Sequence, residues 1–181
     1  IKINDGTVDS AGAVGTISVV ATNDVPTLDL DASSDGTSYS TNYVEGGSAV
    51  EIADSDIAIA DADNEPIASA TITLSNKKTG DVLNIGSLPT GITASTAEPA
   101  NSIQVTLSGS ATAADYQTAI RALTFENSQS IPDSTDRVFN IVVNDGTVDS
   151  AVSTTTVSIT ENHESLWFST DADVSGSGAP G

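Results

Sequence analysis

The side chains in this sequence that could do chemistry are nearly all carboxylates. Twenty-five Asp and Glu stand against five basic residues, Lys2, Lys77, Lys78, Arg121 and Arg137, for a formal charge of −20. Several of the acids fall in short polar clusters. Asp61-Ala62-Asp63-Asn64 follows an apolar run from Ile57 to Ala60, and two Asp at i and i+2 in extended chain point to the same side. Asn23-Asp24, Asn144-Asp145-Gly146 and Glu45-Gly46-Gly47 make further clusters. Ca²⁺ takes six to eight oxygen ligands from carboxylates, Asn side chains, carbonyls and water, which Asp and Asn in turns supply. Two carboxylates about 4 Å apart repel by roughly 1–4 kcal/mol, so clustered acids favour a cation between them. Two other readings use the same residues. Asp-Gly and Asn-Asp make turns on their own account, and an acidic surface keeps a protein soluble.

Other chemistries find few residues. There is no Cys, which excludes disulfides and thiol chemistry, and with a single His a zinc site has too few ligands. A Ser-His-Asp triad would have to be built on His163, with no nucleophile-elbow sequence near it. Paired carboxylates can cleave glycosides, but a sugar cleft wants aromatic walls, and the chain has three Phe, three Tyr and one Trp. Walker A and Rossmann glycine patterns are absent from the sequence. The reading is therefore non-enzymatic. An acidic chain is a poor partner for nucleic acid or anionic lipid, and no run of 18 apolar residues provides for membrane insertion.

The frame that must position the acids shows in an internal repeat. Asn4-Asp5-Gly6-Thr7-Val8-Asp9-Ser10-Ala11 recurs 140 residues later as Asn144 to Ala151, and Thr16-Ile17-Ser18-Val19 aligns with Thr156-Val157-Ser158-Ile159. A period of that length is a whole domain in a tandem array. Residues 1–21 then read as the C-terminal end of a preceding repeat, with a strand of their own. Residues 22–161 form one complete repeat. Residues 162–181 read as a linker and the start of a following module or a flexible tail, in which Trp167-Phe168 reads as a packing anchor, with a ligand contact as the competing reading. Ile1-Lys2-Ile3 is neither an initiator Met nor a signal peptide, as expected of part of something longer.

Within the complete repeat, strand patterning dominates. Ala70, Ile72 and Leu74 alternate with polar neighbours, as do Ile103, Val105 and Leu107, and Phe139, Ile141 and Val143. Gly46-Gly47, Asp63-Asn64, Pro89-Thr90-Gly91 and Asn144-Asp145-Gly146 punctuate them. The expectation is an all-β sandwich of about seven strands. It carries one short helix near 112–122, capped by Thr112 or Ser110, with Tyr116, Ile120 and Leu123 on one face. Strands running alternately down and up bring Asn23-Asp24, the 61–63 loop and the 144–146 loop to one end of the sandwich. Glu45 falls at the other, near the exit linker and Glu164.

This order of motifs resembles the cadherin repeat. The matching residues are Asn23-Asp24-Val25-Pro26 in the linker, Asp61-Ala62-Asp63, Asp145-Gly146, and Glu45. Over residues 1–162 the chain is more similar to bacterial cadherin-like repeats of giant RTX-type adhesins, the biofilm and ice-binding kind. Tyr43-Val44-Glu45-Gly46-Gly47-Ser48-Ala49-Val50, the stretch Ile57 to Leu74, and the helix leading into Leu123-Thr124-Phe125 carry that likeness. The resemblance implies a cadherin or immunoglobulin-like fold and linker Ca²⁺ held by Asn23, Asp24, Asp61, Asp63 and Asp145, with Glu45 and Glu164 serving the next joint. At that second joint His163-Glu164 stands where the pattern has Asn-Asp. The implied function is a secreted, surface-displayed extender, stiffened by Ca²⁺, whose partners are neighbouring repeats and which projects a distal binding module from a bacterial cell. A ligand-gripping adhesion module for sugar or peptide, and a non-catalytic spacer of a secreted hydrolase, are the competing readings.

Overall fold

The computed structural model describes residues 1–162; His163, Glu164, Trp167 and Phe168 lie outside the described residues. Period-two patterning becomes strand wherever it was expected inside the complete repeat. In chain order the elements are β1 (Thr27–Asp29), β2 (Tyr39–Val44), β3 (Val50–Glu51), β4 (Ala58–Ala60), β5 (Ile67–Leu74), β6 (Asp81–Ile85), β7 (Thr93–Ala97) and β8 (Ile103–Ala111). Then follow α1 (Ala113–Arg121), β9 (Leu123–Asn127), β10 (Arg137–Asn144) and β11 (Ser153–Thr160). The fold is all-β and sandwich-like. One layer is a six-stranded sheet in the order β2-β11-β10-β5-β8-β7; opposite it lie the three-stranded β3-β9-β6 and the two-stranded β1-β4.

Among the described residues eleven strands stand where about seven were expected. The surplus comes from splitting. The first strand pairs antiparallel with β4 over Thr27–Asp29. The chain then turns through a loop containing Gly36, at φ 96°, and crosses to the other layer as β2, parallel to β11. A left-handed φ is cheap only for glycine.

The core lies between the layers. β10 buries Arg137, Phe139, Ile141 and Val143 and leaves Val138, Asn140, Val142 and Asn144 half-buried on its other face. β5 contributes Ile67, Ala70, Ile72 and Leu74, and β8 contributes Ile103, Val105 and Leu107. Phe125 meets Phe139 edge-on at 5.8 Å and Tyr43 at 5.7 Å, a geometry the ring quadrupoles favour. β11 turns Ser153 and Thr155 inward, and each buried hydroxyl donates across the sandwich, to Leu28 O at 2.7 Å and Ile52 O at 2.6 Å. Thus a strand of four inward residues, two of them polar, still leaves no hydroxyl donor stranded.

The helix forms where expected. The Thr112 hydroxyl oxygen accepts from the Asp115 N–H and the Asp115 carboxylate accepts from the Thr112 N–H, a reciprocal capping box. Tyr116, Ala119 and Ile120 are buried.

Residues 1–21 correct one expectation. Outside an isolated bridge between Asn4 and Asp9 they form no strand. Ile1, Ile3, Ile17 and Val19 are 93%, 73%, 89% and 88% exposed, whereas Ile141, Val143, Val157 and Ile159, 140 positions later, are buried. The alternating pattern is present in both stretches. Only 141–160 has neighbours, β2 and β5, to pair with, and a strand needs a partner to satisfy its backbone.

Candidate functional site at the leading end

β5 starts, and β8 and β10 finish, at the end of the sandwich where residues 22–26 enter. We call this the leading end. The link is direct. Asn23 Nδ2 donates to Asp145 Oδ2 at 2.9 Å across 122 residues of sequence, and also to Asp24 O at 2.8 Å. The Asp24 N–H donates to Asp63 Oδ2 at 2.6 Å. The Asp63 N–H in turn donates to Asp61 Oδ1 at 2.8 Å. Asn23, Asp24, Asp61, Asp63 and Asp145 thus meet through one chain of hydrogen bonds.

Each loop has a local reason for its shape. Asp61 to Asn64 is a tight turn, with the Asn64 N–H donating to Asp61 O at 3.2 Å and Asn64 in the left-handed region at φ 56°. Asn is among the few residues that tolerate this conformation. In the other loop Asn144 Oδ1 accepts from the Gly146 N–H, and Asp145 Oδ1 accepts from Thr147 and Val148 N–H. Gly146 sits at φ 101°, so a side chain there would be strained. The bond from Asn23, with the amides of Val148 and Thr147, holds the Asp145 carboxyl below the usual carboxylate range.

The electrostatics are one-sided. The three described ion pairs, Lys77 with Glu98, Lys78 with Asp133, and Arg137 with Asp81, all lie at the opposite, trailing end. Among the described residues no Lys or Arg pairs with the acids of the leading end. Asp61 Oδ2 is buried and receives no hydrogen bond. A buried carboxylate oxygen with no donor carries an uncompensated desolvation cost. That orphan, on a carboxylate flanked by other carboxylates, is the donor chemistry a hard cation takes.

The arrangement differs from the expectation of a single convergent ligand set. Among the described residues no three His, Cys, Asp or Glu side chains are grouped to hold a metal ion. Here the carboxylates of Asp61, Asp63 and Asp145 accept from backbone and Asn N–H groups in sequence along a chain. Mutual repulsion disfavours bringing several negative groups together, and amide donors supply an alternative partner.

Glu45 falls at the trailing end, as the alternation of loops requires. Its Oε2 accepts from the Asn162 N–H at 3.0 Å, and its own N–H donates to Thr160 O at 2.9 Å. Glu164 lies outside the described residues.

Two features went unread in the sequence. A cavity of about 540 Å³ opens beside Asp61, walled by Ile59, Pro66, Ala111 and Ala113 and edged by Glu65. It forms where the β4–β5 loop meets the start of α1, a juxtaposition no local motif announces. The second is the Arg137–Asp81 pair, both side chains fully buried, with Nε to Oδ2 at 2.6 Å. Asn127 Nδ2 donates to Asp81 Oδ1 at 2.7 Å, and Arg137 Nη1 donates to the carbonyls of Asp133 and Thr135. Arg137 opens the alternating run Arg137, Phe139, Ile141, Val143, so its inward direction was present in the pattern.

No protein-family model matches this chain, and no curated protein matches it either.

Proposed function

We propose that the chain is a non-catalytic, calcium-stabilised spacer repeat of a secreted bacterial surface protein, in line with its resemblance to cadherin-like adhesin repeats. The observation that carries this reading is the leading end. There Asn23 and Asp24, just ahead of β1, are tied to Asp145 and Asp63, among acids that have no described basic partner. Ca²⁺ bound there would be held by Asp61, Asp63, Asp24 and Asp145, with Asn23 as a neutral oxygen donor. It would supply positive charge to a region that has none of its own. Because Asn23 and Asp24 belong to the connection between copies, binding would tie that connection to the two loops of the sandwich and restrict how adjacent copies bend.

The repeat itself supports a role in length. The eight residues from Asn4 return unchanged from Asn144, and the turn they form returns with them. The Asn Nδ2 to Asp Oδ1 bond is 2.6 Å in both copies, and the two glycines sit at φ 99° and 101°. Tandem copies of one fold provide extension rather than a new site each time.

The test is small-angle scattering on a two-copy chain with Ca²⁺ and with EDTA. The reading expects a larger maximum dimension and a narrower distribution with Ca²⁺. Equal extension in both conditions removes calcium stiffening from the account.

A further inference from the structure

The six strands of the larger sheet contain a single charged residue, Arg137, and it is buried on the inner side. In a chain of −20 net charge, whose thirty charged side chains have to lie somewhere, the outer face of this sheet therefore carries none. Thr71, Thr73, Thr106, Asn140, Thr154 and Thr156 occupy its centre, half-buried as on a sheet with one solvated side. The register lines them into rows: Thr154, Asn140, Thr73 and Gln104 lie side by side across four strands, and Val142, Thr71, Thr106 and Ser95 across another four. The smaller sheet is different, with Glu51 and Glu126 among its outward residues.

We infer that this neutral face is a lateral contact surface for a second copy of the chain. Three physical points select that partner. First, charge: two copies of this acid-rich chain repel wherever their acidic surfaces meet, and approach through the neutral faces keeps those surfaces apart. Second, self-complementarity: each Thr or Ser hydroxyl both donates and accepts, and Asn and Gln do both, so a two-fold pairing of the face with itself can satisfy its own groups. Third, extent: strands about 4.8 Å apart and about 3.3 Å per residue give six strands a face of roughly 600–800 Å². A standard stable interface buries about 800 Å² per partner. A neutral glycan is a poorer fit, because no outward residue of these strands is aromatic and sugar platforms use aromatic stacking; Tyr39 shares the inward side with Tyr43.

The salt dependence follows. Repulsion between the acidic surfaces opposes pairing and is screened over about 10 Å at 0.1 M salt but about 3 Å at 1 M. Association through the neutral face therefore strengthens with salt, by about tenfold or more across that range.

Sedimentation equilibrium of the full chain in 0.1 M and 1 M NaCl tests this, alongside Thr71→Glu/Thr106→Glu and, separately, Asn140→Glu, each checked for native melting. The expected result is dimer formation favoured at 1 M salt in the native chain and lost in both variants. A native chain that stays monomeric at 1 M salt overturns the inference. So does dimerisation equal in the variants, which would put the contact on the exposed apolar residues between Ile1 and Val20. Retention on a neutral polysaccharide without self-association would overturn it as well.

Discussion

The two ends of the sandwich handle their acids in opposite ways. At the trailing end Glu98, Asp133 and Asp81 each have a cation from the same chain, and the Arg137–Asp81 pair is fully buried. At the leading end the carboxylates of Asp61, Asp63 and Asp145 have amide donors only, and Asp61 Oδ2 has none. The trailing end thus supplies its own cations, even though Arg137 Nη2 is buried there without a hydrogen-bond partner, while the leading end depends on its solution. Placement of charge, not its amount, separates the two.

The comparison breaks most sharply at Arg137. Arg137→Met leaves Asp81 buried beside Asn127 without its cation, at an expected cost of about 3–5 kcal/mol. Urea denaturation should show this loss equally with Ca²⁺ and with EDTA. A loss that Ca²⁺ restores would mean the ends are not independent.

At the leading end the expected effect depends on the ion. Asp61→Asn/Asp63→Asn should abolish the gain in melting temperature that Ca²⁺ gives the native chain. One site at 100-fold saturation is worth about 2.7 kcal/mol, a rise of about 5–11 °C in melting temperature for a domain of this size. In EDTA the double variant should melt no lower than the native chain, since it removes two like charges. Glu45→Gln, at the far end, should leave the leading-end response in place. Unchanged melting of the native chain between Ca²⁺ and EDTA would leave only a solvated acidic surface.

A smaller effect sharpens the pH behaviour. Asp145 titrates below its ordinary value of 3.8, because of Asn23 first and then the Val148 and Thr147 amides. A depressed carboxylate contributes stability that is present above the unfolded value and lost as pH falls through the folded one. Asn23→Ala should therefore raise the Asp145 pKa toward 3.8 and weaken that loss in the acid limb below it, read by carboxyl-resolved NMR titration. Asp5 provides the internal standard: its carboxyl is lowered by Val8 and Thr7 amides, with no partner equivalent to Asn23.

Smallest of all is the exposed pair at the trailing end. Lys77→Ala separates Lys77 from Glu98 on a partly exposed surface and should change stability by about 0–1 kcal/mol.

The octapeptide that occurs twice shows how much of the molecule is local. From Asn4 and from Asn144 the same bonds form: Gly N–H to Asn Oδ1, two amides to Asp Oδ1, and Ser N–H back across the turn. Turn geometry was legible because Asx side chains bond their own backbone. The strands beyond it were legible as pattern but not as outcome, since Ile17 and Val19 repeat the alternation of Val157 and Ile159 without pairing to anything. The meeting of Asn23 with Asp145 followed from loop alternation, a property of topology. The cavity beside Asp61 and the Asn127 contact to Asp81 were not readable, because they depend on which loops pack side by side and at what distance.

The claim that the leading-end acids bind Ca²⁺ is tested most directly by isothermal titration of Ca²⁺ into the chain and into Asp61→Asn/Asp63→Asn. The account predicts saturable binding in the native chain, with a dissociation constant of about 10⁻⁴–10⁻³ M as in extracellular calcium modules, and its loss in the variant. Absence of saturable binding in the native chain, or the same isotherm in both, would contradict it.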